Sequence, residues 1–229
     1  MKALGIIPAR AGSKRVVRKN VRTFAGKPLI AWTIEQALEA KSLHRVIVSS
    51  DDLDALNIAR SFDPKLALER PPELASDTAP AVGYVQHAFR RVEDGDSYDA
   101  VVILQPTSPL RVASDIDATV ALLESSGADS AVSVVAVAHD VHPIKLKTMH
   151  DGRLFPFLEE ERGRMMAHEL PHVFVRNCAV YATRRSVIEA GQIIGADCRG
   201  YEMPRERSVD INDELDFAFA EFLMQRLGV

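Results

Sequence analysis

Four largely apolar runs recur along the chain, at Ala3-Leu4-Gly5-Ile6-Ile7, Arg45 to Ser50, Asp99 to Leu104 and Asp129 to Val137. None alternates between polar and apolar residues as a half-exposed strand would. Strands of that kind are covered on both faces, which is the signature of a largely parallel sheet between two helical layers. The segments between them carry helical spacing: Pro28 to Ala40 with Pro28 in the first turn, Asp54 to Arg60, Ala81 to Val92, and Asp115 to Ser125 with Ser114 as cap. Phe174 to Thr183 reads as a further strand, and Asp213 to Leu227 as a terminal amphipathic helix packed back on the sheet. The expectation is an α/β fold of three layers around a mostly parallel sheet. Ligands of such sheets sit at the carboxyl ends of the strands. The loops at 8–20, 49–52 and 105–111 all follow strands, so they are expected along one rim.

With 229 residues, 47% of them hydrophobic and 26% charged, the chain suits one domain over 1–229 with a full core. The stretch 139–175 departs from the pattern. It carries His139, His142, His150 and His168 and the pair Met165-Met166, and its periodicity is weak. It reads either as an insertion that projects from the sheet and forms an oligomer contact or as a long irregular surface excursion. A net charge of −4 argues against a general nucleic-acid binder. Cys178 and Cys198 give neither a disulfide framework nor zinc spacing. Neither a membrane-spanning run nor a secretory segment is read, so a cytoplasmic setting is expected.

The most chemically loaded loop is the first. Pro8-Ala9-Arg10-Ala11-Gly12-Ser13-Lys14-Arg15 leaves the first strand, and Arg18, Lys19 and Asn20 follow. Small residues let backbone N–H groups approach an anion, and the clustered cations neutralise it, an arrangement suited to a nucleoside triphosphate. Neither GxxxxGK[ST] nor GxGxxG occurs in this loop, so the reading rests on context rather than on those fingerprints.

Four segments in order carry a resemblance: Ile7 to Lys14 with Lys19-Asn20; Arg70-Pro71-Pro72-Glu73-Leu74-Ala75-Ser76-Asp77-Thr78; Leu104-Gln105-Pro106-Thr107-Ser108-Pro109-Leu110-Arg111; and Ser208-Val209-Asp210-Ile211-Asn212 with Glu214-Leu215-Asp216. The chain resembles the acylneuraminate cytidylyltransferases, or CMP-sialic acid synthetases, including those handling legionaminic and related nonulosonic acids. The resemblance implies a Rossmann-like nucleotidyltransferase with a small dimerisation insertion. It also implies CTP and a nine-carbon 2-keto sugar acid as substrates, Mg²⁺ as cofactor, and a homodimer. The sugar's anomeric hydroxyl attacks the α-phosphorus and pyrophosphate leaves, so catalysis is positioning and charge stabilisation.

Carried over by position, the resemblance assigns Arg10 and Lys14 to the triphosphate, with Ala9, Gly12, Ser13 and Asn20 beside the nucleotide. Arg70 and the backbone near Ala79 and Ala81 fall at the base. Gln105, Lys145, Asn177 and Tyr181 fall at the sugar acid. Asp210 is the expected metal ligand, catalytic together with Arg10 and Lys14. The family's second carboxylate is here Asn212, which offers only a carbonyl oxygen. Cys178 stands where the family has Gly, and Ile193-Ile194 where it often has two aromatics. Asp77 reads equally as a turn, cap or ligand residue, Lys19 as a ligand or a solvated cation, Arg111 as a buried partner of a carboxylate, and Asp210 alternatively as a helix cap. Two other functions stay open: a cytidylyltransferase for a different sugar acid such as Kdo, and a nucleotide-binding paralogue without turnover, which Asn212 keeps in view.

Overall fold

The computed structural model describes residues 1–92, 98–158 and 170–228. Its central sheet is built from β1 (Ala3–Ala9), β4 (Leu43–Ser50), β5 (Ala67–Glu69), β6 (Ala100–Ile103), β7 (Ser130–Ala136), β10 (Phe174–Arg184) and β11 (Cys198–Glu202). Two short ribbons, β2 (Thr23–Phe24) with β3 (Lys27–Pro28) and β8 (Lys147–His150) with β9 (Arg153–Pro156), stand apart from it. The strand order is β11-β7-β10-β6-β1-β4-β5. Within the central sheet every pairing is parallel except those of β10, which runs antiparallel to both β6 and β7.

The side-chain alternation of β1 separates the layers. Leu4 and Ile6 pack with Tyr84, Val85, Ala88, Phe89 and Val92 of α3 (Ala81–Val92). Ala3, Ile7 and Ala9 face the other way, toward Ile30 and Ile34 of α1 (Leu29–Glu39) and Ala55 and Ala59 of α2 (Leu53–Phe62). Ile116, Val120 and Leu123 of α4 (Ala113–Ser126) join that second group. A strand buried on both sides has little room for a polar alternate residue, which explains the largely apolar runs, broken only by buried serines such as Ser49 and Ser133.

Some expectations are corrected. Ser114 does not cap α4; it lies inside the first turn, and Asp115 instead accepts the Val112 N–H at 3.0 Å. The edge strands β5 and β11 give no readable run, because β5 is only three residues long and Cys198-Arg199-Gly200-Tyr201-Glu202 sets only Tyr201 against the core. The last helix, α6 (Glu214–Leu227), packs on the rim rather than the sheet face: Phe217, Ala220 and Met224 meet Val16, Phe24, Leu29, Leu110 and Ile211. A separate apolar cluster therefore underlies the strand-end loops and fixes their spacing. Within 139–175, α5 (Arg185–Glu189) not yet being reached, the exposed β8–β9 ribbon follows two 3₁₀ turns, His139–Val141 and Pro143–Lys145. Met165, Met166 and His168 lie outside the described residues.

Candidate active site

Ala9, the last residue of β1, pairs with Ser50, so the loops after β1 and β4 leave the sheet side by side. The Ala11 N–H donates to the Asp51 carboxylate at 3.0 Å, and Ser13 N–H to the Ala11 carbonyl at 2.9 Å. Gly12 is exposed in the turn between them. Asn20 is buried, and its amide donates to the Arg10 carbonyl at 3.3 Å. It braces the basic loop from inside.

The side chains of Arg10 and Lys14 converge on one carboxylate. Asp77 accepts from the Arg10 guanidinium and, at 2.5 Å, from the Lys14 ammonium. Those two hydrogen bonds hold the Asp77 carboxyl below the usual carboxylate range. Arg70 sits deeper. Its guanidinium donates to the Ser49 hydroxyl at 3.1 Å and the Ser49 carbonyl at 2.6 Å, and lies 4.4 Å from the centre of the Tyr84 ring. Burial lowers the Arg70 pKa and pushes Tyr84 up to about 12. Arg10, Arg70, Asp77, Ala79, Ala81 and Tyr84 line one cavity of about 150 Å³. The positions expected at the nucleotide thus come together from segments far apart in sequence.

A second convergence lies beside the first. The Lys19 ammonium donates to the Ile211 carbonyl at 2.6 Å, and the Ile211 N–H to the Thr107 carbonyl at 2.8 Å. The loops after β1 and β6 are thereby joined to the segment carrying Asp210. Burial lowers the Lys19 pKa; Arg15 and Arg10 act in the same sense, while Asp210 and Asp216 oppose it. Lys19 is therefore a structural tie between charged groups, not a solvated cation. Asp210 does not cap α6. That role belongs to Asp213, whose carboxylate accepts from Leu215 and Asp216 N–H groups at 3.0 and 2.9 Å. The Asp210 carboxylate accepts from the Asn212 side-chain amide at 3.1 Å. A carboxylate and an amide carbonyl are hard oxygen donors that fit Mg²⁺, which keeps several waters and takes phosphate oxygens. Among the described residues no group of three or more His, Cys, Asp or Glu side chains could hold a metal without such help.

Gln105 lies two residues past the end of β6 at the same rim, with its carbonyl accepting from Arg111 at 3.2 Å. Arg111 is fully buried but its hydrogen bonds go to carbonyls, of Gln105 and, at 2.9 Å, of Ala179. Asp115, the nearby acid, is engaged by Arg207 at 2.7 Å and by the Tyr201 hydroxyl at 3.3 Å. Burial pushes the Arg111 pKa down to about 10. Asn177 is buried: its carbonyl oxygen accepts from Ser133 at 2.6 Å and its amide donates to Ser208 at 2.9 Å. It ties β7 and β10 to the Asp210 segment. The β10 register breaks between Arg176 and Tyr181, and Cys178 there has φ 63°. The Tyr181 hydroxyl donates to the Cys178 thiol at 3.3 Å, and burial raises both pKa values, with Asp210 adding to each. Tyr181 and Cys178 therefore stand near Asp210. Lys145 meets His139 at 3.0 Å, at the foot of the β8–β9 ribbon. Ile193 packs against the α3-side core. The sequence reading missed Asp51 as a brace and Asp77 as the partner of the two cations. For Asp51 the available signal was an acid directly after a strand, opposite a basic loop; Asp77, well past β5, gave none.

Comparison with known proteins agrees with this geometry. A family profile described as cytidylyltransferase matches residues 4–190. The N-acylneuraminate cytidylyltransferase of Escherichia coli O18:K1:H7 (strain RS218 / NMEC) is 30% identical over 98% of this chain; the chain spans about half of that relative, 52%. The CMP-N,N'-diacetyllegionaminic acid synthase of Legionella pneumophila is 32% identical over 98% of this chain and 97% of its own length. The pseudaminic acid cytidylyltransferase of Campylobacter jejuni (strain ATCC 700819) is 29% identical, covering 97% and 96%. Among solved structures, a CMP:2-keto-3-deoxy-manno-octonic acid synthetase complexed with CTP superposes with a TM-score of 0.73 at 19% identity, over 99% of this chain and 100% of that one, and shares the fold. With strand-end loops that gather basic and acidic groups at one rim, and a family profile spanning most of its length, the chain belongs to the cytidylyltransferases.

Proposed function

We propose that the chain transfers a cytidylyl group from CTP to a nine-carbon 2-keto sugar acid of the sialic, legionaminic or pseudaminic type. The convergence of Arg10 and Lys14 at the mouth of the cavity lined by Arg70, Ala79 and Ala81 is the observation that carries this reading. It offers a base-sized recess beside a seat for phosphates. In the reaction the anomeric hydroxyl attacks the α-phosphorus. The new O–P bond forms as the bond from the α-phosphorus to the bridging oxygen breaks, pyrophosphate departs with the bonding electrons, and the hydroxyl proton is lost to solvent. Arg10 and Lys14 stabilise the charge that builds on pyrophosphate. Lys19 holds the Asp210 segment against the phosphate loop. Asp210 and Asn212 are the residues that would hold Mg²⁺, which when bound supplies positive charge to the phosphates.

Gln105, Lys145, Asn177 and Tyr181 belong to the sugar side in this reading, Asn177 as a brace. The exposed β8–β9 ribbon presents Met149, Leu154 and Phe155, and the face beside β7 and α6 presents Val141, Val175 and Phe219. These apolar surfaces fit a homodimer formed through 139–175. No described helix is long and apolar enough to cross a membrane. The reading is of a cytoplasmic enzyme whose partners are small molecules, its net charge of −4 being unsuited to a general nucleic-acid binder. The test is pyrophosphate release with CTP and Mg²⁺ across N-acetylneuraminic, legionaminic, pseudaminic, Kdn and Kdo acids. Release with a nine-carbon acid, falling more than about tenfold in Arg10→Ala and Lys14→Ala, is expected. Release with Kdo alone would move the substrate to the eight-carbon class, and near-normal rates in both variants would remove the phosphate assignment.

A further inference from the structure

In the protein described here, the two cations assigned to the triphosphate already hold an anion, the carboxylate of Asp77. Its two oxygens are divided between them, one toward Arg10 and the other toward Lys14, as two phosphate oxygens would be. Asp77 belongs to the loop that follows the 3₁₀ turn Pro72–Leu74, and the same loop supplies Ala79 to the cavity. All three side chains are well exposed: 42% for Arg10, 78% for Lys14 and 48% for Asp77. Ion pairs in water are weak enough to exchange with a more highly charged ligand. One side chain therefore occupies the phosphate seat without locking it.

We propose that Asp77 is an internal competitor for the phosphate seat, displaced when CTP binds and returning to Arg10 and Lys14 as pyrophosphate leaves. The proposal rests on the triphosphate reading of Arg10 and Lys14. Its consequence is a weaker hold on the product. A seat of bare cations would bind pyrophosphate tightly and delay turnover. A tethered carboxylate competes at a local concentration that no free anion matches. CTP loses the same amount at this seat but also gains from the cytosine recess, whereas pyrophosphate has only the seat. The carboxylate thus weakens both alike, and the recess leaves CTP a hold that departing pyrophosphate lacks. CMP, which lacks the β- and γ-phosphates, has no need to move Asp77.

Calorimetric titration of the whole protein with pyrophosphate, CTP and CMP, in wild type and Asp77→Asn, tests this. Asparagine keeps the shape and removes the charge. Asp77→Ala is the second variant, and circular dichroism confirms that each is folded. Glu73→Gln removes one negative charge from the same exposed loop without touching the two cations. Expected are pyrophosphate and CTP binding at least about threefold tighter in both Asp77 variants, CMP binding within about twofold of wild type, and no such tightening in Glu73→Gln. In turnover, pyrophosphate becomes a stronger product inhibitor of Asp77→Asn. Unchanged or weaker pyrophosphate binding in the Asp77 variants, with Arg10→Ala still abolishing it, overturns the competitor role and leaves the phosphate seat standing. Equal tightening in Glu73→Gln overturns it in favour of net charge. Pyrophosphate binding that ignores Arg10→Ala removes the seat and the competitor together.

Discussion

The Lys19 ammonium donates to the carbonyl of Ile211, so a cation of the first strand-end loop is bonded to the residue that follows Asp210. The two residues are 192 positions apart. Together with the Arg22–Glu214 ion pair, this contact ties the chain that follows β1 to the acidic segment. Asn177 makes the matching tie from the other side, through Ser208. The site is held by cross-links between loops, and the apolar cluster around Ile211 and Phe217 supplies the floor beneath them.

Lys19→Met is expected to lower turnover by roughly tenfold or more, because it removes both a charge and a tether at a site that acts by position. The pH profile gives a more specific reading. Burial lowers the Lys19 pKa below its ordinary 10.5, so wild-type activity should show an alkaline limb beginning below that pH, as the ammonium loses its proton. The residual activity of Lys19→Met should lack the limb. Stability runs the opposite way. The unfolded chain binds the proton more tightly than the folded one, so this group's contribution to stability rises with pH across the interval up to 10.5. An alkaline limb that persists in Lys19→Met would assign it to another group.

Much of this was legible in the sequence for a physical reason. β1, β4, β6 and β7 are largely buried on both faces, and their runs are mostly apolar with small serines as the polar exceptions, so their composition declares them. The rim loops could be read because they follow those strands. Less legible were features that depend on tertiary partners. No local pattern distinguishes a solvated Lys19 from one bonded to Ile211, or tells that Arg111 spends its hydrogen bonds on carbonyls while Asp115 turns to Arg207 and Tyr201. The edge strand β11 stayed hidden because its pairing is by backbone, and all its side chains but Tyr201 face water. Asp77 stands within the Arg70 to Thr78 segment, but only folding brings it between Arg10 and Lys14.

Asp210 and Asp213 lie in one acidic segment, and substitution should separate their roles. Asp213→Ala removes the N-cap of α6 and should cost about 1 kcal/mol of stability. Asp210→Asn leaves that cap in place. It should nearly abolish Mg²⁺-dependent turnover while the denaturation midpoint stays close to wild type. Equilibrium urea unfolding beside a pyrophosphate-release assay reads both. A large loss of stability in Asp210→Asn would make its role one of folding.

Cys178 adopts φ 63°, a left-handed conformation that costs a side-chain-bearing residue free energy and costs glycine little. Cys178→Gly should therefore raise stability, by up to about 1 kcal/mol, with the lost Tyr181–thiol hydrogen bond offsetting part of the gain. Cys178→Val should be destabilising, since a β-branched residue is least tolerant of positive φ. The denaturant midpoints of the two variants should fall on opposite sides of wild type. A Gly variant less stable than wild type would mean that the thiol's contacts outweigh the backbone strain.

The final expectation concerns assembly. Met149, Leu154, Phe155 and Phe157 are 68%, 65%, 46% and 60% exposed in and beside a two-stranded ribbon. An isolated hairpin gains little from its own pairing, so apolar residues arrayed on one imply a surface that covers them. A groove of about 530 Å³ lined by Val135, Val137, Val141, Val175, Phe219 and Leu223 offers an apolar counterpart on the same chain type. A two-fold arrangement satisfies both surfaces at once, because each copy gives a ribbon and receives one. Sedimentation at about micromolar concentration should therefore give a dimer, and Phe155→Glu or Phe219→Glu should shift it toward monomer. Since Lys145 stands at the foot of the ribbon, beside His139, loss of the dimer should raise KM for the sugar acid more than KM for CTP. A wild-type monomer at that concentration would refute the arrangement, and dimeric glutamate variants would place the interface elsewhere.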